Sequence, residues 1–100
     1  MSKEKPLSFA WDNEKAKINQ KKHKINFDEA STVFYDENAL LIYDPDHSET
    51  EDRFIILGFS KKMRLLVVCH CYRENANLIR IISARKATKK EAIQYTEEKR

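Results

Sequence analysis

The second half of the chain is a series of four apolar runs separated by short breaks. The runs, rich in Ile, Leu and Val, cover residues 39–44, 53–59, 65–73 and 78–86. The breaks at 60–63 and 74–77 are hairpin-sized, whereas parallel neighbours need a crossover of about a dozen residues or more. This spacing predicts consecutive antiparallel strands, and therefore a small antiparallel β-sheet at the centre of the fold.

Capping residues predict three helices beside this sheet. They are Asp12, the pair Asn26 and Glu29, and the capping box of Thr88 and Glu91. Residues 7–11 predict a short edge strand, and residues 1–6 a flexible tail. The resulting order is β-α-α-β-β-β-β-α. We therefore expect an α+β fold in which two N-terminal helices and one C-terminal helix flank the sheet.

The apolar residues of the first two helices predict which sides are buried. On the first helix, Trp11, Ile18 and Ile25 recur every seven residues and indicate one narrow buried stripe. On the second, the apolar face consists of Phe27, Ala30, Val33 and Phe34. We expect this second face to belong to the core.

The length of 100 residues predicts a single domain over residues 1–100. One glycine, Gly58, excludes the glycine series of phosphate-binding loops. No apolar run approaches the ~20 residues of a membrane helix, and no hydrophobic segment opens the chain. We therefore expect a cytoplasmic protein without a membrane partner.

The net charge of +3 conceals a strong segregation of charge along the chain. Residues 25–52 carry nine acids and no Lys or Arg, whereas residues 53–90 carry ten Lys or Arg and one acid. Separate charged surfaces of this kind can attract a polyanion despite a small net charge. The alternative is that the acidic and basic segments neutralise each other within the monomer.

Cys69, His70 and Cys71 stand together on a predicted strand but do not form a metal site. Side chains alternate along a strand, so both sulfurs should face one side and the imidazole the other. We predict reduced cysteines, no metal and no cofactor. The acidic segment at 44–52 lacks the spacing and the glycine of a calcium loop, and a solvated loop or a docking surface for a basic partner remain its two interpretations.

The last two predicted strands carry most of the candidate functional residues. Arginine in a rigid sheet suits phosphate, because its guanidinium group can donate two parallel hydrogen bonds. The basic residues on or beside these strands are Arg64, Arg73, Arg80, Arg85 and Lys86. His23 beside Lys22, and His70, are the two histidines on regular elements near basic residues. A metal-free ribonuclease needs such groups, although pairing of the arginines with the acidic segment explains them as well.

Several motifs resemble those of the BrnT toxin family. The opening motif runs from Lys15-Ala-Lys-Ile-Asn19 through Lys22-His23 to Ile25-Asn-Phe-Asp-Glu-Ala30. The later matches are Arg53, Gly58-x-Ser60, Arg64-Leu-Leu-Val-Val68, Arg73, Arg80-Ile-Ile-Ser-Ala-Arg-Lys-Ala87, Glu91 and Tyr95. The resemblance extends from Phe9 to Tyr95. It departs from the family at Lys24, where glycine usually follows the Lys-His pair.

The resemblance implies a type II toxin of a bacterial toxin-antitoxin pair. Such a toxin is a metal-independent endoribonuclease with a RelE-like mRNA interferase fold, and a BrnA-like antitoxin neutralises it. The antitoxin carries the DNA-binding domain, so operator DNA is bound only through the toxin-antitoxin complex. The resemblance implies that this complex is a hetero-oligomer and that it represses its own operon. RNA is the implied substrate, cleaved by attack of a 2′-hydroxyl on the adjacent phosphate.

We assign candidate roles from the basic strands and the matched motifs together. Arg80 and Arg85 are candidates for binding phosphate and stabilising transition-state charge, and His23 or His70 for the general base or acid. The candidates for contact with the RNA backbone are Lys22, Arg64 and Lys86. The alternative function is a non-catalytic module that binds nucleic acid or a protein through the same basic surface.

Overall fold

The computed structural model describes residues 7–44, 52–73 and 77–98. The elements are β1 (Ser8–Ala10), α1 (Asn13–His23), α2 (Phe27–Thr32), a 3₁₀ turn (Val33–Tyr35), β2 (Leu40–Asp44), β3 (Arg53–Phe59), β4 (Leu65–Arg73), β5 (Leu78–Lys86) and α3 (Lys89–Glu98). The α+β class and the element order are confirmed. The predicted flexible tail and most of the acidic loop lie outside the described residues.

The five strands form one sheet in the order β1-β5-β4-β3-β2. From β2 to β5, each strand pairs antiparallel with the next, as the short breaks predict. The edge strand β1 instead pairs parallel with β5, from Ser8 opposite Leu78 to Ala10 opposite Arg80. The short breaks of the sequence predict no direction for this edge strand. The long chain between β1 and β5 imposes no hairpin, so either direction is open to β1.

The pairing of β4 with β5 contains one irregularity that decides which side chains share a face. Leu66 to Cys69 lie opposite Lys86 to Ser83, and His70 to Arg73 lie opposite Ile81 to Leu78. Ile82 is therefore an extra residue in β5, a β-bulge. Because the bulge interrupts the two-residue alternation, Arg80 and Arg85 lie on the same face although they are five positions apart.

We call one face of the sheet the covered face, because α1, α2 and the 3₁₀ turn pack against it. Its sheet residues are Ile56, Leu66, Val68, Ile79, Ile81 and Ala84, and the helical segment contributes Ile25, Phe27, Ala30 and Val33. All ten are buried. The predicted core face of the second helix is thus confirmed at Phe27, Ala30 and Val33, while Phe34 is half-buried beside it.

We call the opposite side the open face, because α3 covers only part of it. Tyr95 of α3 is buried against Leu57 and Val67, and its ring lies 5.3 Å from that of Phe59. The Tyr95 hydroxyl donates a 2.7 Å hydrogen bond to Asp36 Oδ2. This contact and burial raise the pKa of Tyr95 to about 12, with burial the larger cause. Helix α3 is therefore fixed at one end of the open face, and the β5 arginines lie on the same side of the sheet.

The predicted buried stripe of α1 is wrong at Ile18. Ile18 is 61% exposed, whereas the neighbouring Asn19 is 5% exposed. The Asn19 amide accepts from Ala84 N at 3.0 Å and donates to Ala84 O at 2.9 Å and to Ile25 O at 3.0 Å. Strand β1 pairs with only three residues of β5, so α1 meets a backbone edge there. An amide can pair with that edge and an aliphatic side chain cannot.

Helix α1 ends at a residue with a left-handed backbone. Lys24 has φ 62° and ψ 30°, and its N–H donates to Gln20 O at 2.9 Å. Glycine favours this conformation because it has no Cβ. The departure from the BrnT pattern therefore falls where a side chain strains the backbone.

We expect Lys24→Gly to stabilise the protein. Removing the Cβ at a positive φ should raise the free energy of unfolding by up to about 1 kcal/mol. Urea unfolding measures the change, and Lys24→Ala is the control because it removes the charge but keeps the Cβ. Equal stabilisation by both variants would show that the lysine charge, and not the backbone, is the source.

Candidate nucleic-acid interface

A groove of about 250 Å³ lies on the open face beside α3. Its lining combines two arginines, Arg53 and Arg85, with an acid, small polar groups and aliphatic side chains. The other lining residues are Asp44, Ile55, Val67, Cys69, Ile82 and Ser83. The groove therefore offers positive charge and hydroxyl or thiol groups on a rigid strand surface.

A second depression of about 190 Å³ lies between α1 and β5. Lys22 and His23, at the end of α1, line it together with Lys15, Ile18 and Asn19. The bulge residues Ile82 and Ser83 line this depression and also the arginine groove. His23 and Arg85 are therefore brought to the two sides of one exposed ridge, which the sequence alone does not indicate.

Arg85 is held in place by the first turn of α3. Its Nη1 and Nη2 donate to Glu91 Oε1 and Oε2 at 2.9 and 2.8 Å. The capping box orients Glu91, since Thr88 N donates to Glu91 Oε1 and Glu91 N donates to Thr88 Oγ1. The hydrogen bonds from Arg85 are the main cause that lowers the pKa of Glu91 to about 2. With 41% of its side chain exposed, Arg85 combines a fixed orientation with access to a ligand.

Arg80 lies on the same face as Arg85 but further along β5. It stands opposite Cys71, four residues along β4 from the partner of Arg85, which places the two arginine backbones about 13 Å apart. The pKa of Asp12 is lowered mainly by hydrogen bonds from the N–H groups of Lys15 and Glu14, and also by the charge of Arg80. Arg80 therefore extends the basic surface toward the start of α1.

The two remaining basic candidates, Lys86 and Arg64, do not line the arginine groove. Lys86 is exposed at the end of β5. It stands opposite Leu66, so its side chain starts on the opposite face of the sheet from that of Arg85. Arg64 pairs with Glu29, which is 1% exposed: its Nε donates to Oε2 at 2.9 Å and its Nη2 to Oε1. Ser60 Oγ donates to the same carboxylate at 2.7 Å.

The prediction that Arg64 contacts RNA is not supported by this position. The hydrogen bonds from Arg64 are the main cause that lowers the pKa of Glu29, and Ser60 adds to them. Arg64 thus neutralises a buried carboxylate between α2 and the β3–β4 turn. A buried charge that loses its partner is strongly destabilising, so this pairing fixes Arg64 in the structure.

His70 is also placed away from the arginines. It is 0% exposed, its ring lies 4.7 Å from Phe34 and 5.2 Å from Tyr72, and Nδ1 lies 3.2 Å from Val68 O. Burial is the main cause that lowers its pKa from 6.5 to about 4. The catalytic candidacy of His70 is therefore not supported, because strand alternation directs the ring into the core of the covered face while Cys69 lines the groove on the open face.

Four residues of the site were not among the predicted site residues: Arg53, Ile82, Ser83 and Glu91. Arg53 belongs to the basic segment and Glu91 to the capping box, and both match the BrnT motifs, but the sequence assigns neither of them a role in the site. The signal for the bulge is the consecutive pair Ile81-Ile82 between apolar residues at 79 and 84, which breaks a strict alternation. Only this break explains how Arg80 and Arg85 reach one face.

The fold and the site define a small α+β domain with an arginine-lined groove on a half-open sheet face. A model of the BrnT family, described as the ribonuclease toxin of a type II toxin-antitoxin system, matches residues 11–91. The chain therefore belongs to the BrnT family of ribonuclease toxins. No match is found among curated proteins.

The fold is similar to the crystal structure of the Brucella abortus ribonuclease toxin BrnT, determined at 1.1 Å resolution. The TM-score is 0.61 and the identity 20%, and the match covers 83% of this chain and 99% of that chain. This likeness concerns the fold. No helix among the described residues has the length and apolar character needed to cross a membrane.

The burial of His70 predicts a loss of stability in mild acid. Above pH 6.5 the His70 ring is neutral in both the folded and the unfolded chain. Below pH 6.5 the unfolded chain binds a proton at this ring, whereas the folded chain does so only near pH 4. We expect the free energy of unfolding to fall by about 3 kcal/mol across this window. Urea unfolding between pH 4 and 7.5 measures it.

His70→Phe is the control for this effect, because it fills the aromatic site without a titrating ring. The stability of this variant should be nearly flat between pH 6.5 and pH 5. If the NMR signals of the His70 imidazole in the wild-type protein titrate near pH 6.5, they would contradict the conclusion that this ring is buried and neutral.

Proposed function

We propose that this BrnT-family chain is a metal-independent endoribonuclease that cuts RNA at the ridge formed by the β5 bulge, between the depression beside α1 and the groove of the open face. The single observation that carries the proposal is the bulge itself. Ile82 and Ser83 separate a depression that contains His23 and Lys22 from a groove that contains Arg85. A proton acceptor and a phosphate-binding group therefore flank one accessible point of the surface.

The chemistry that suits these groups is attack of a 2′-hydroxyl on the adjacent phosphate. His23 takes the proton of the hydroxyl, the oxygen forms a bond to phosphorus, and the bond from phosphorus to the 5′-oxygen breaks. The products are a 2′,3′-cyclic phosphate and a 5′-hydroxyl, whose leaving oxygen takes its proton from water. Arg85 stabilises the charge that develops on the phosphorane, and Glu91 holds its guanidinium group in position.

The remaining cations act on the RNA chain on either side of the cut. Arg80, about 13 Å along the same face, binds a neighbouring phosphate, and Lys22 and Lys86 contribute exposed charge at the rim. Arg64 and His70 are left out of the proposed site, because the first neutralises Glu29 and the second is buried. The arginine charges replace a metal ion in stabilising the transition state.

The family implies an antitoxin partner, and we propose that it is BrnA-like. Binding of this antitoxin blocks the RNA site, and the resulting complex binds operator DNA through the antitoxin and represses its own operon. Without the antitoxin, this chain binds RNA in the cytoplasm, where transcripts are present. Induction of the chain without its partner should therefore arrest growth and deplete transcripts.

Cleavage of a labelled RNA by the purified chain in excess EDTA tests the proposal. We expect 2′,3′-cyclic phosphate ends, a loss of about 10²-fold or more in rate for Arg85→Ala, and a loss of about 10²–10⁴-fold for His23→Gln. Rates that stay at the wild-type level in both variants, or activity that EDTA abolishes, would contradict the mechanism.

Two neighbouring lysines of α1 supply a matched control for the position of the site. Lys22 lines the depression beside the bulge, whereas Lys21 lines a different surface of the helix. We expect Lys22→Ala to weaken RNA binding and Lys21→Ala to leave it nearly unchanged, as measured by fluorescence anisotropy at fixed salt. RNA that binds but is never cut would favour a non-catalytic binding module, and RNA that does not bind would favour a protein-interaction module.

A further inference from the structure

The outer edge of β2 is an apolar strand edge that takes no part in the proposed RNA site. β2 ends the sheet, and β3 is its one neighbouring strand in the sheet that the structure describes. Three consecutive side chains are exposed on it: Leu41 at 54%, Ile42 at 39% and Tyr43 at 48%. They form the one consecutive run of exposed large apolar residues among the described residues.

Among the described residues, this edge lacks several of the features that usually protect edge strands from pairing. Native edges carry Lys or Pro, contain a bulge or are very short. Leu40–Asp44 contains neither Lys nor Pro, and all five of its residues pair with β3 in one unbroken register. The backbone groups that point away from β3 therefore follow a regular, extended path that another strand can join.

The exposed side chains lie on both sides of the edge. Leu41 and Tyr43 stand opposite Ile56 and Phe54, on the covered side, and the Tyr43 ring lies 5.4 Å from that of Phe54. Ile42 stands opposite Ile55 on the open side. A strand added here gains apolar cross-strand neighbours on both of its faces.

The charge around β2 selects the kind of strand that fits. β2 lies within residues 25–52, which carry nine acids and no Lys or Arg; of these acids Glu29 is buried and paired with Arg64, and Asp44 stands opposite Arg53 of β3. Asp44 ends the strand, and the exposed Asp52 accepts a 3.1 Å hydrogen bond from the Tyr43 hydroxyl. Two copies of β2 paired with each other would bring two acidic segments together, whereas a basic strand is attracted.

We propose that the outer edge of β2 binds an extended segment of the antitoxin, in which apolar side chains alternate with Lys or Arg, as a sixth strand of the sheet. This inference rests on the toxin-antitoxin assignment and identifies where and how the partner attaches. Main-chain hydrogen bonds supply affinity, and the alternating side chains supply specificity. The docking strand lies apart from the arginine ridge, so attachment and inhibition are separable.

Amide hydrogen exchange with two synthetic peptides tests the docking mode. The first is a short extended peptide in which Val alternates with Lys, and the second replaces each Lys by Glu. With the basic peptide, the amides of residues 40–44 that point away from β3 should exchange at least about ten-fold more slowly. No protection of these amides, or equal protection by the acidic peptide, would overturn the proposal.

An edge lysine should block the added strand. We expect Leu41→Lys to weaken binding of the basic peptide at least about ten-fold, because a lysine on the edge opposes strand addition and repels the basic segment. Ile93→Lys is the matched control, since Ile93 is a 59% exposed apolar residue on α3 and not on β2. Equal weakening by both variants would overturn the proposal, as would sedimentation showing that the free chain dimerises through β2.

RNA cleavage by the same variants separates this inference from the proposed function. Leu41→Lys should cut RNA at the wild-type rate while the antitoxin inhibits it less well. If the wild-type chain does not cut RNA, the proposed function fails, but protection of the β2 amides by the basic peptide still decides the docking mode. Full inhibition of Leu41→Lys at wild-type antitoxin concentrations would count against β2 as the attachment strand.

Discussion

The extra residue Ile82 in β5 determines how the surface of this protein is organised. Without it, strict alternation would place Arg80 and Arg85 on opposite faces of the sheet. With it, Ile79, Ile81 and Ala84 all enter the core of the covered face, and both arginines lie on the open face. Asn19 supports the same stretch of β5 from the edge through its two hydrogen bonds to Ala84. One irregularity therefore serves both the core and the candidate RNA site.

The basic residues divide into two groups that differ in their partners. Arg64 satisfies Glu29, a carboxylate that the fold buries, and this pairing ties α2 to the β3–β4 turn. Arg85 pairs with Glu91 at a half-exposed position, where a phosphate can compete for the guanidinium group. The two pairs differ mainly in the carboxylate partner, whose side chain is 1% exposed in Glu29 and 27% exposed in Glu91. The acids of residues 25–52 also differ in burial: Glu29 is buried, whereas Asp52 is exposed near β2.

The elements of this fold are predictable because their signals are local. The bounds of β3, β4 and β5 and the caps Asp12 and Asn26 all follow from neighbouring residues. The parallel pairing of β1, the burial of Asn19 in place of Ile18 and the burial of His70 depend on contacts between distant segments, which no local pattern contains. The candidate site was predicted in part: Arg80, Arg85, His23 and Lys22 lie around the bulge, whereas Arg64 and His70 do not.

The central claim is that RNA contacts the open face at the bulge. The most direct measurement is NMR of the arginine Nε–Hε groups during titration with an RNA analogue that lacks the 2′-hydroxyl at the cleavage position, so that it binds without being cut. The account predicts that the signals of Arg80 and Arg85 shift together while that of Arg64 stays in place. Shifts confined to Arg64, with Arg80 and Arg85 unchanged at saturation, would contradict it.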